Sequence, residues 1–353
     1  MHHIGISFGE LRQWNDGLGE FSHQFGTHLA ALAPSLSERW GATFYFHLPA
    51  RWHGRFGHQV HYLDVHKGQR WLHLQPQRFD LWHNLHQHTQ LRAPWGTRHV
   101  ITTLHDLNLH YMKEGGKRWR AMQRQLRLLK RADEIVCISD HVLHDLRRLT
   151  QLSTPAHRIH NGVCDMRALT PSRPQLAPHA PFLFHIGRMT PNKNVDKILA
   201  LAQIWPERQF VLAGPRSGHS EGYARQAQAA QLSNVHVLYD ISDEEKAWLY
   251  AHCDGLLFPS TTEGFGLPPI EAMSVGASVY LSTATSLPEI GGQVAAYFDN
   301  FRPEAMKETI MRHESMDIPS SERRERAIAH AAQFKWSACI SHYVSSYGKA
   351  LGL

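Results

Sequence analysis

The chain has 353 residues, of which 42% are hydrophobic and 19% are charged, and this balance excludes a disordered chain. Its length allows two domains with separate cores, and no apolar run approaches the length of a membrane span. The net charge of +6 excludes no class of anionic partner.

In the first half of the chain, short apolar segments alternate with helical ones. Strands are predicted at 4–8, 43–48, 59–63, 80–83, 99–104 and 134–138. Helices are predicted at 20–33, 113–131 and 141–149, the last of them capped by Ser139 and Asp140. Strands that alternate with helices indicate an α/β fold, with a parallel sheet covered on both faces.

A stretch rich in proline, 164–181, then interrupts the pattern and is the best linker candidate. Beyond it, strands are predicted at 182–186, 210–213, 235–238, 255–258 and 278–281, and helices at 195–204, 223–231, 243–252 and 268–275. This is a second doubly wound domain. A final helix at 334–351 carries aromatic residues at helical spacing. The predicted division is therefore 1–165, a linker at 166–181, 182–335, and a terminal helix at 336–353.

The predicted helix at 113–131 is basic on one face and apolar on the other. Three interpretations stay open: contact with an anionic membrane or lipid-linked substrate, contact with nucleic acid, or a solvated helix face. The 28 histidines form no HExxH or Cys/His zinc spacing, and Asp-x-Asp is absent, so no metal site is expected.

The segment 262–273 is the most informative part of the chain. It places Glu263 on a loop, then a turn between two glycines, then two prolines suited to a first helical turn, then Glu271. Backbone amides of the turn can converge on an anion at the start of the helix; these belong to Gly264, Phe265, Gly266 and Leu267. Two carboxylates beside an anion suit hydroxyl groups, so the segment predicts a site for a nucleotide sugar.

Other glycine and charged residues also follow predicted strands. Gly187, Arg188 and Lys193 come after the strand at 182–186, and Gly214 comes after the strand at 210–213. An arginine and a lysine there can neutralise a diphosphate. In the first domain, a short glycine loop with Gly17 and Gly19 and the residue His105 also follow strands.

These motifs resemble those of the retaining GT-B glycosyltransferases of family 4, which include bacterial mannosyl- and glucosyltransferases. The likeness spans almost the whole chain and is strongest over 184–194 and 258–273, with further matches at 79–83, 103–107, 138–139, 161–163 and 285–290. It implies two Rossmann-like domains that face each other across a cleft. The first would bind the acceptor and the second the nucleotide sugar, with the terminal helix packed back on the first.

The resemblance also implies a role for each matching position. Arg188 and Lys193 would grip the diphosphate, Glu271 would hold the ribose, and Glu263 would hold hydroxyls of the sugar. The amides of 264–267 would contact sugar and phosphate, Gly17 and Gly19 would approach the phosphate from the other domain, and His105 would lie beside sugar and acceptor. Protein cations would replace a metal, and no cofactor is needed beyond the nucleotide sugar.

Several points depart from the family pattern or stay open. Asp16 stands where a glycine is common and is either an acceptor-side base or a turn residue. Asp240 replaces a family glycine near the expected base, so the donor is open, with GDP-mannose favoured over a UDP-sugar. A sugar-nucleotide epimerase of the same fold is the alternative enzyme, and a nucleic-acid binder lacks a supporting motif. Scattered cysteines and the absence of a visible signal predict a cytoplasmic protein, with the inner membrane face as a site of peripheral contact. The expected acceptor is a glycan or lipid-linked glycan of lipopolysaccharide synthesis.

Overall fold

The computed structural model describes residues 1–11, 14, 17–111 and 116–353, with the backbone alone at 117 and 118. The chain divides into a first unit, Met1–Gly162 with Trp336–Leu353, and a second unit, Val163–Lys335. The predicted linker at 166–181 therefore belongs to the second unit, and the boundary lies after Gly162 instead of after 165. The reason is packing: Met166 is buried, and its backbone N–H donates to Ser274 Oγ at 3.1 Å.

The first unit is built on a parallel sheet. Its described strands are β1 (His2–Ser7), β2 (Ala42–His47), β3 (His61–Leu63), β4 (Leu81–Asn84), β5 (His99–Leu104), β6 (Glu134–Cys137) and β7 (Ala156–Arg158). Among the described residues they lie in the order β3-β2-β1-β4-β5-β6-β7, and each neighbouring pair is parallel. The direction of crossover changes between β1 and β4, so this is a doubly wound sheet. The short edge strand β7 is not among the predicted strands.

Four long helices accompany this sheet in the described ranges: α1 (Gly17–Trp40), α2 (Gly116–Leu129), α3 (Asp140–Leu149) and, at the end of the chain, α11 (Trp336–Leu351). The helix α1 corrects the prediction at both ends. It begins at Gly17 instead of Glu20, and it continues past Pro34 because Leu36 still faces the core. The helix α11 packs on this unit through buried tyrosines: Tyr347 OH hydrogen-bonds His83 Nδ1 at 2.6 Å, and Tyr343 OH hydrogen-bonds Thr103 at 3.0 Å.

The second unit repeats the same plan. Its described strands are β8 (Phe182–Ile186), β9 (Gln209–Gly214), β10 (Val235–Tyr239), β11 (Gly255–Phe258), β12 (Val279–Ser282) and β13 (Ala296–Phe298). In the part of the chain that the structure describes, these strands form a parallel sheet in the order β10-β9-β8-β11-β12-β13. The crossover direction changes between β8 and β11. In such sheets a ligand binds at the carboxyl ends of the two strands that flank this change.

The helices of the second unit are α4 (Val195–Ile204), α5 (Gly218–Ala229), α6 (Asp243–His252), α7 (Leu267–Ser274), α8 (Leu287–Gly291), α9 (Pro303–Glu314) and α10 (Ser320–Ala331). The buried aliphatic side chains of α4 pack against Phe210 and Leu212 of β9. This core extends to Met306 and Ile310 of α9. The elements α8, α9, α10 and β13 are additions to the predicted set. Within the described ranges, no helix is long and apolar enough to cross a bilayer.

Candidate active site

The loop after β8 is shaped by a close approach of two backbone segments. Gly187 N–H donates to the carbonyl of Ala213 at 3.0 Å, which brings the end of β8 against the end of β9. A Cβ added at Gly214 would lie 2.1 Å from the carbonyl oxygen of Gly187. Only glycine fits at this position, because any side chain would prevent the close approach of the backbone at Gly187.

Side-chain amides join the loop after β8 to the loop after β11. Asn192 Nδ2 donates to the carbonyl of Thr262 at 3.0 Å, and the Thr261 N–H donates to the carbonyl of Asn192 at 2.8 Å. Asn194, which adopts a left-handed backbone with φ of 53°, donates from Nδ2 to the Pro259 carbonyl at 3.0 Å. The two loops that flank the switch point are thus held as one surface.

This surface brings Lys193 and Glu263 together as an ion pair. Lys193 Nζ donates to Glu263 Oε1, and both side chains are largely buried. The same ammonium lies 4.9 Å from the ring centroid of Phe258, a cation–π distance. The Glu263 backbone N–H donates to Thr285 Oγ1 at 3.0 Å. The predicted lysine and the predicted loop carboxylate therefore meet where a ligand of this sheet would bind.

The second carboxylate, Glu271 of α7, is buried and held from α6. Tyr250 OH donates to Glu271 Oε2 at 2.9 Å, and Lys246 Nζ lies 3.4 Å from Oε1. Tyr250 is fully buried, and burial, followed by the adjacent carboxylate of Glu271, raises the pKa of its hydroxyl well above the usual value. The hydroxyl therefore stays protonated and acts as a donor to Glu271.

The turn between the two glutamates leads directly into α7. Gly266 has a φ of 129°, a conformation that favours glycine, and Leu267 is the first residue of the helix. Ser286 Oγ donates to the carbonyl of Phe265 at 2.5 Å, and this carbonyl is thereby turned toward α8. Since Pro268 and Pro269 carry no N–H, the donors of this helix start come from the turn itself.

Two further residues of the loop after β8 differ in their surroundings. Arg188 is exposed, and in the described chain no carboxylate lies within ion-pair distance of it. His185 is fully buried; its Nδ1 donates to the carbonyl of Leu257 at 2.9 Å, while Nε2 has no described partner. Burial, opposed by that hydrogen bond and aided by Lys193, lowers the pKa of His185 to about 4. This imidazole is therefore neutral at pH 7.

The described candidate residues of the first unit are one buried histidine and two glycines at the start of a helix. His105 is buried, hydrogen-bonds the Leu85 carbonyl through Nε2 at 2.9 Å and packs edge-on against Phe21. Burial lowers its pKa to about 3, so it is a neutral imidazole. Gly17 and Gly19 lie in the first turn of α1 and not in a loop, because α1 begins at Gly17; a Cβ at Gly17 would meet no other atom. Asp16 lies outside the described residues.

The groups that orient the two glutamates are not among the residues predicted from the sequence. Lys246 and Tyr250 are four residues apart on α6, and this spacing puts them on one helix face. The sequence therefore predicts that these two side chains share a helix face. It does not predict that this face contacts Glu271, which lies on a different helix. Thr285 and Ser286 fall in a segment that the family resemblance marks, without a role for either hydroxyl.

Comparisons with known proteins match both units. A family model described as Glycosyltransferase Family 4 matches residues 23–167, and one described as Glycosyl transferases group 1 matches residues 170–334. The O-antigen chain mannosyltransferase B of Escherichia coli is 28% identical over 273 residues, which are 72% of this chain and 71% of that protein. The serotype-specific mannosyltransferase WbdA of Escherichia coli is 26% identical over 69% of this chain, but this match spans only 32% of its own length.

A solved structure agrees with the fold. The sucrose-phosphate synthase of Thermosynechococcus elongatus superposes with a TM-score of 0.77 at 18% identity, and the match covers 100% of both chains. Two parallel α/β units, together with these matches, define a glycosyltransferase of the GT-B fold. Within that class, the chain belongs to glycosyltransferase family 4.

Proposed function

We propose that the second unit binds a nucleotide sugar and that the enzyme transfers its hexose to a glycan or lipid-linked acceptor. The favoured donor is GDP-mannose, and the favoured product belongs to lipopolysaccharide or another cell-surface polysaccharide. The observation that carries the proposal is the Lys193–Glu263 pair at the switch point between β8 and β11. The mannosyltransferase relatives from Escherichia coli support the choice of sugar, and the O-antigen named for one of them supports the product.

The diphosphate of the donor would lie at the loops after β8 and β11. Lys193 offers an ammonium and the exposed Arg188 offers a forked guanidinium, and both would neutralise the charge that leaves with the nucleotide. The positive end of the α7 dipole adds to their effect at Gly266 and Leu267. Because these protein cations occupy the role of a metal ion, we expect transfer to proceed in the presence of EDTA.

The two glutamates would bind neutral hydroxyl groups. Glu271 would accept hydrogen bonds from the ribose, since Tyr250 and Lys246 hold its carboxylate in one orientation. Glu263 would accept from hydroxyls of the sugar, and Lys193 would be shared between Glu263 and the diphosphate. Thr285 fixes the backbone that carries Glu263. Asp240, which the sequence places near the nucleobase, is exposed and directly follows β10.

The reaction would proceed with retention of the anomeric configuration. The bond from the anomeric carbon to the phosphate oxygen breaks, and the acceptor oxygen bonds to the same face of that carbon. The departing phosphate takes the proton of the acceptor hydroxyl, so no enzyme nucleophile is assigned. Roles for His105, Gly17 and Gly19 in the first unit, as well as acceptor binding by that unit, stay predictions.

The first experiment is a thermal-shift titration with GDP-, UDP- and ADP-sugars and their free nucleotides in EDTA. It compares the wild type with Glu271→Ala, and the control is Glu308→Ala, an exposed carboxylate of α9. We expect one nucleotide class to raise the Tm, an effect lost in Glu271→Ala and kept in the control. A Tm shift with UDP-sugars alone would show that the donor is a UDP-sugar and not GDP-mannose. No Tm shift with any nucleotide sugar would refute the proposed donor site.

The second experiment separates transfer from epimerisation. A purified glycan or lipid-linked acceptor is incubated with the donor, and the product is analysed by NMR. A new α-linked hexose from an α-configured donor supports retaining transfer, whereas an altered nucleotide sugar formed without acceptor supports the epimerase. A β-linked product would refute retention.

We further propose that the enzyme lies in the cytoplasm, in peripheral contact with the inner membrane. The helix α2 supports it, since Trp119, Arg120, Arg124 and Arg127 are all exposed on this helix. Binding to anionic vesicles that weakens as salt is raised is the expected result, and its absence would remove the membrane from the proposal.

A further inference from the structure

The first unit has an exposed apolar surface that includes none of the candidate site residues. It consists of four large side chains, called here the apolar patch: Trp71 (72% exposed), Leu72 (56%), Leu74 (65%) and Trp95 (79%). Single exposed hydrophobic residues are ordinary on protein surfaces, but a contiguous group with two tryptophans indicates a binding surface.

Backbone contacts hold the parts of the apolar patch together. The Trp95 N–H donates to the carbonyl of His73 at 2.7 Å, so Trp95 lies beside the segment between Leu72 and Leu74. His73 is buried and donates from Nδ1 to the Arg92 carbonyl at 2.8 Å. Since His73 is turned into the unit and its two neighbours are turned out, the exposure of both leucines is fixed by this hydrogen bond.

Two arginines adjoin the apolar patch and are called here the rim arginines: Arg78 and Arg92. Arg78 Nε donates to the carbonyl of Gly96, next to Trp95, at 2.8 Å. Arg92 Nε donates to the carbonyl of Arg70, next to Trp71, at 3.1 Å. Both guanidinium groups are thereby held at the edge of the apolar patch.

The charges of this surface are uncompensated. Across the described ranges, neither of the rim arginines has a carboxylate within ion-pair distance, whereas the neighbouring Arg70 is paired with Glu10 at 2.6 Å. A cation without a counterion attracts anions to the surface around it. The partner that suits this surface therefore carries negative charge and also accepts indole and leucine side chains.

An anionic lipid bilayer meets both conditions. Tryptophan is enriched at the level of the lipid headgroups, and arginine near an anionic bilayer contributes about 1 kcal/mol per side chain. A second copy of this chain suits it less, because a two-fold symmetric contact would set rim arginines against rim arginines. Nucleic acid would match the charge but leaves the two leucines without a partner.

We propose that the apolar patch and the rim arginines form the surface by which this chain docks on an anionic membrane. The indoles and leucines enter the headgroup region, and the guanidinium groups bind lipid phosphates. This docking rests on the membrane contact proposed above and does not depend on the donor chemistry. The loops at 69–74 and 92–97 are the part of the chain that enters the bilayer.

The test is cosedimentation of the full chain with vesicles of phosphatidylcholine alone and with phosphatidylglycerol at roughly a third of the lipid. The variant Trp71→Ala/Trp95→Ala is compared with Leu176→Ala, an exposed leucine of the second unit, and with Trp119→Ala on α2. We expect binding to the anionic vesicles only, about tenfold weaker in the double variant and unchanged in Leu176→Ala. Arg78→Gln/Arg92→Gln should reduce the dependence of binding on salt.

Several results would overturn the proposal. One is equal binding of the double variant and the wild type; another is loss of binding in Trp119→Ala alone, which would assign the contact to α2. A concentration-dependent dimer in gel filtration that the double variant abolishes would assign the apolar patch to a second copy. The Tm of the double variant without ligand, compared with that of the wild type, checks that the double variant is folded. If no nucleotide sugar gives a shift but vesicle binding depends on the apolar patch, the proposed function fails and the docking surface stands.

Discussion

The ion pair between Lys193 and Glu263 should show a measurable coupling energy. The two side chains are 16% and 14% exposed, so a charge left without its partner stays largely out of water. Truncating one partner of a fully buried ion pair typically costs about 3–5 kcal/mol of stability. An exposed ion pair typically contributes about 1 kcal/mol or less. For this intermediate burial we expect Lys193→Met to lower the free energy of unfolding of the second unit by about 2–3 kcal/mol.

The measurement is a double-mutant cycle by urea denaturation at pH 7, with Glu263→Gln as the second single variant. We expect Glu263→Gln to cost about 1–2 kcal/mol and the double variant to be about 1.5 kcal/mol more stable than the sum of the single effects predicts. Lys197→Met is the matched control. Its ammonium pairs with Asp196 at 3.1 Å, but the side chains are 43% and 51% exposed, so the expected cost is under about 0.5 kcal/mol.

The same variants test the proposed role in donor binding. Lys193→Met removes a charge-assisted hydrogen bond to the diphosphate, and its Kd for the nucleoside diphosphate should rise about tenfold or more by calorimetry. A coupling energy below about 0.3 kcal/mol would refute the view that the pair is held in a poorly solvated site. If the pair is coupled but the Kd is unchanged, the pair stabilises the fold only, and the diphosphate binds at another site.

Three further predictions concern the same chain. Tyr250→Phe removes the hydroxyl that donates to the buried carboxylate of α7; we expect a KM for the donor raised about fivefold or more with little change in kcat, and an unchanged KM would contradict this role. Gly214→Ala would force a Cβ to 2.1 Å from the Gly187 carbonyl oxygen, so thermal denaturation should show a loss of about 2–3 kcal/mol, while Gly218→Ala, whose Cβ meets no atom, should be neutral. His83 is fully buried, and desolvation lowers its pKa to about 3, so the unfolded chain binds a proton below pH 6.5 that the folded chain does not. Stability should therefore be complete above pH 6.5 and fall as the pH decreases toward 3, by about 2 kcal/mol at pH 5 for this residue; urea midpoints that stay level from pH 7 to 5 in wild type and His83→Gln alike would contradict it.

Local patterns in the sequence determined most of the elements of both sheets. The bounds of β5, β8, β11, α4 and α6 agree residue for residue with the prediction. These segments combine apolar runs of strand length or helical periodicity with clear ends, so local preference and burial favour the same structure. The segment with Glu263 and Glu271 was also identified as a site from its residues alone, because glycine and proline define its turn and helix start.

The tertiary structure decided what depends on contacts between distant residues. The helix α1 continues through Pro34 because buried side chains beyond it still face the core, and the edge strands β7 and β13 exist only by pairing with their neighbours. Lys193 and Glu263 are 70 residues apart and meet because β8 and β11 are adjacent in the sheet. A sequence lists such side chains without their distances. The order of the strands sets those distances, and burial then sets how strongly the charges and hydrogen bonds interact.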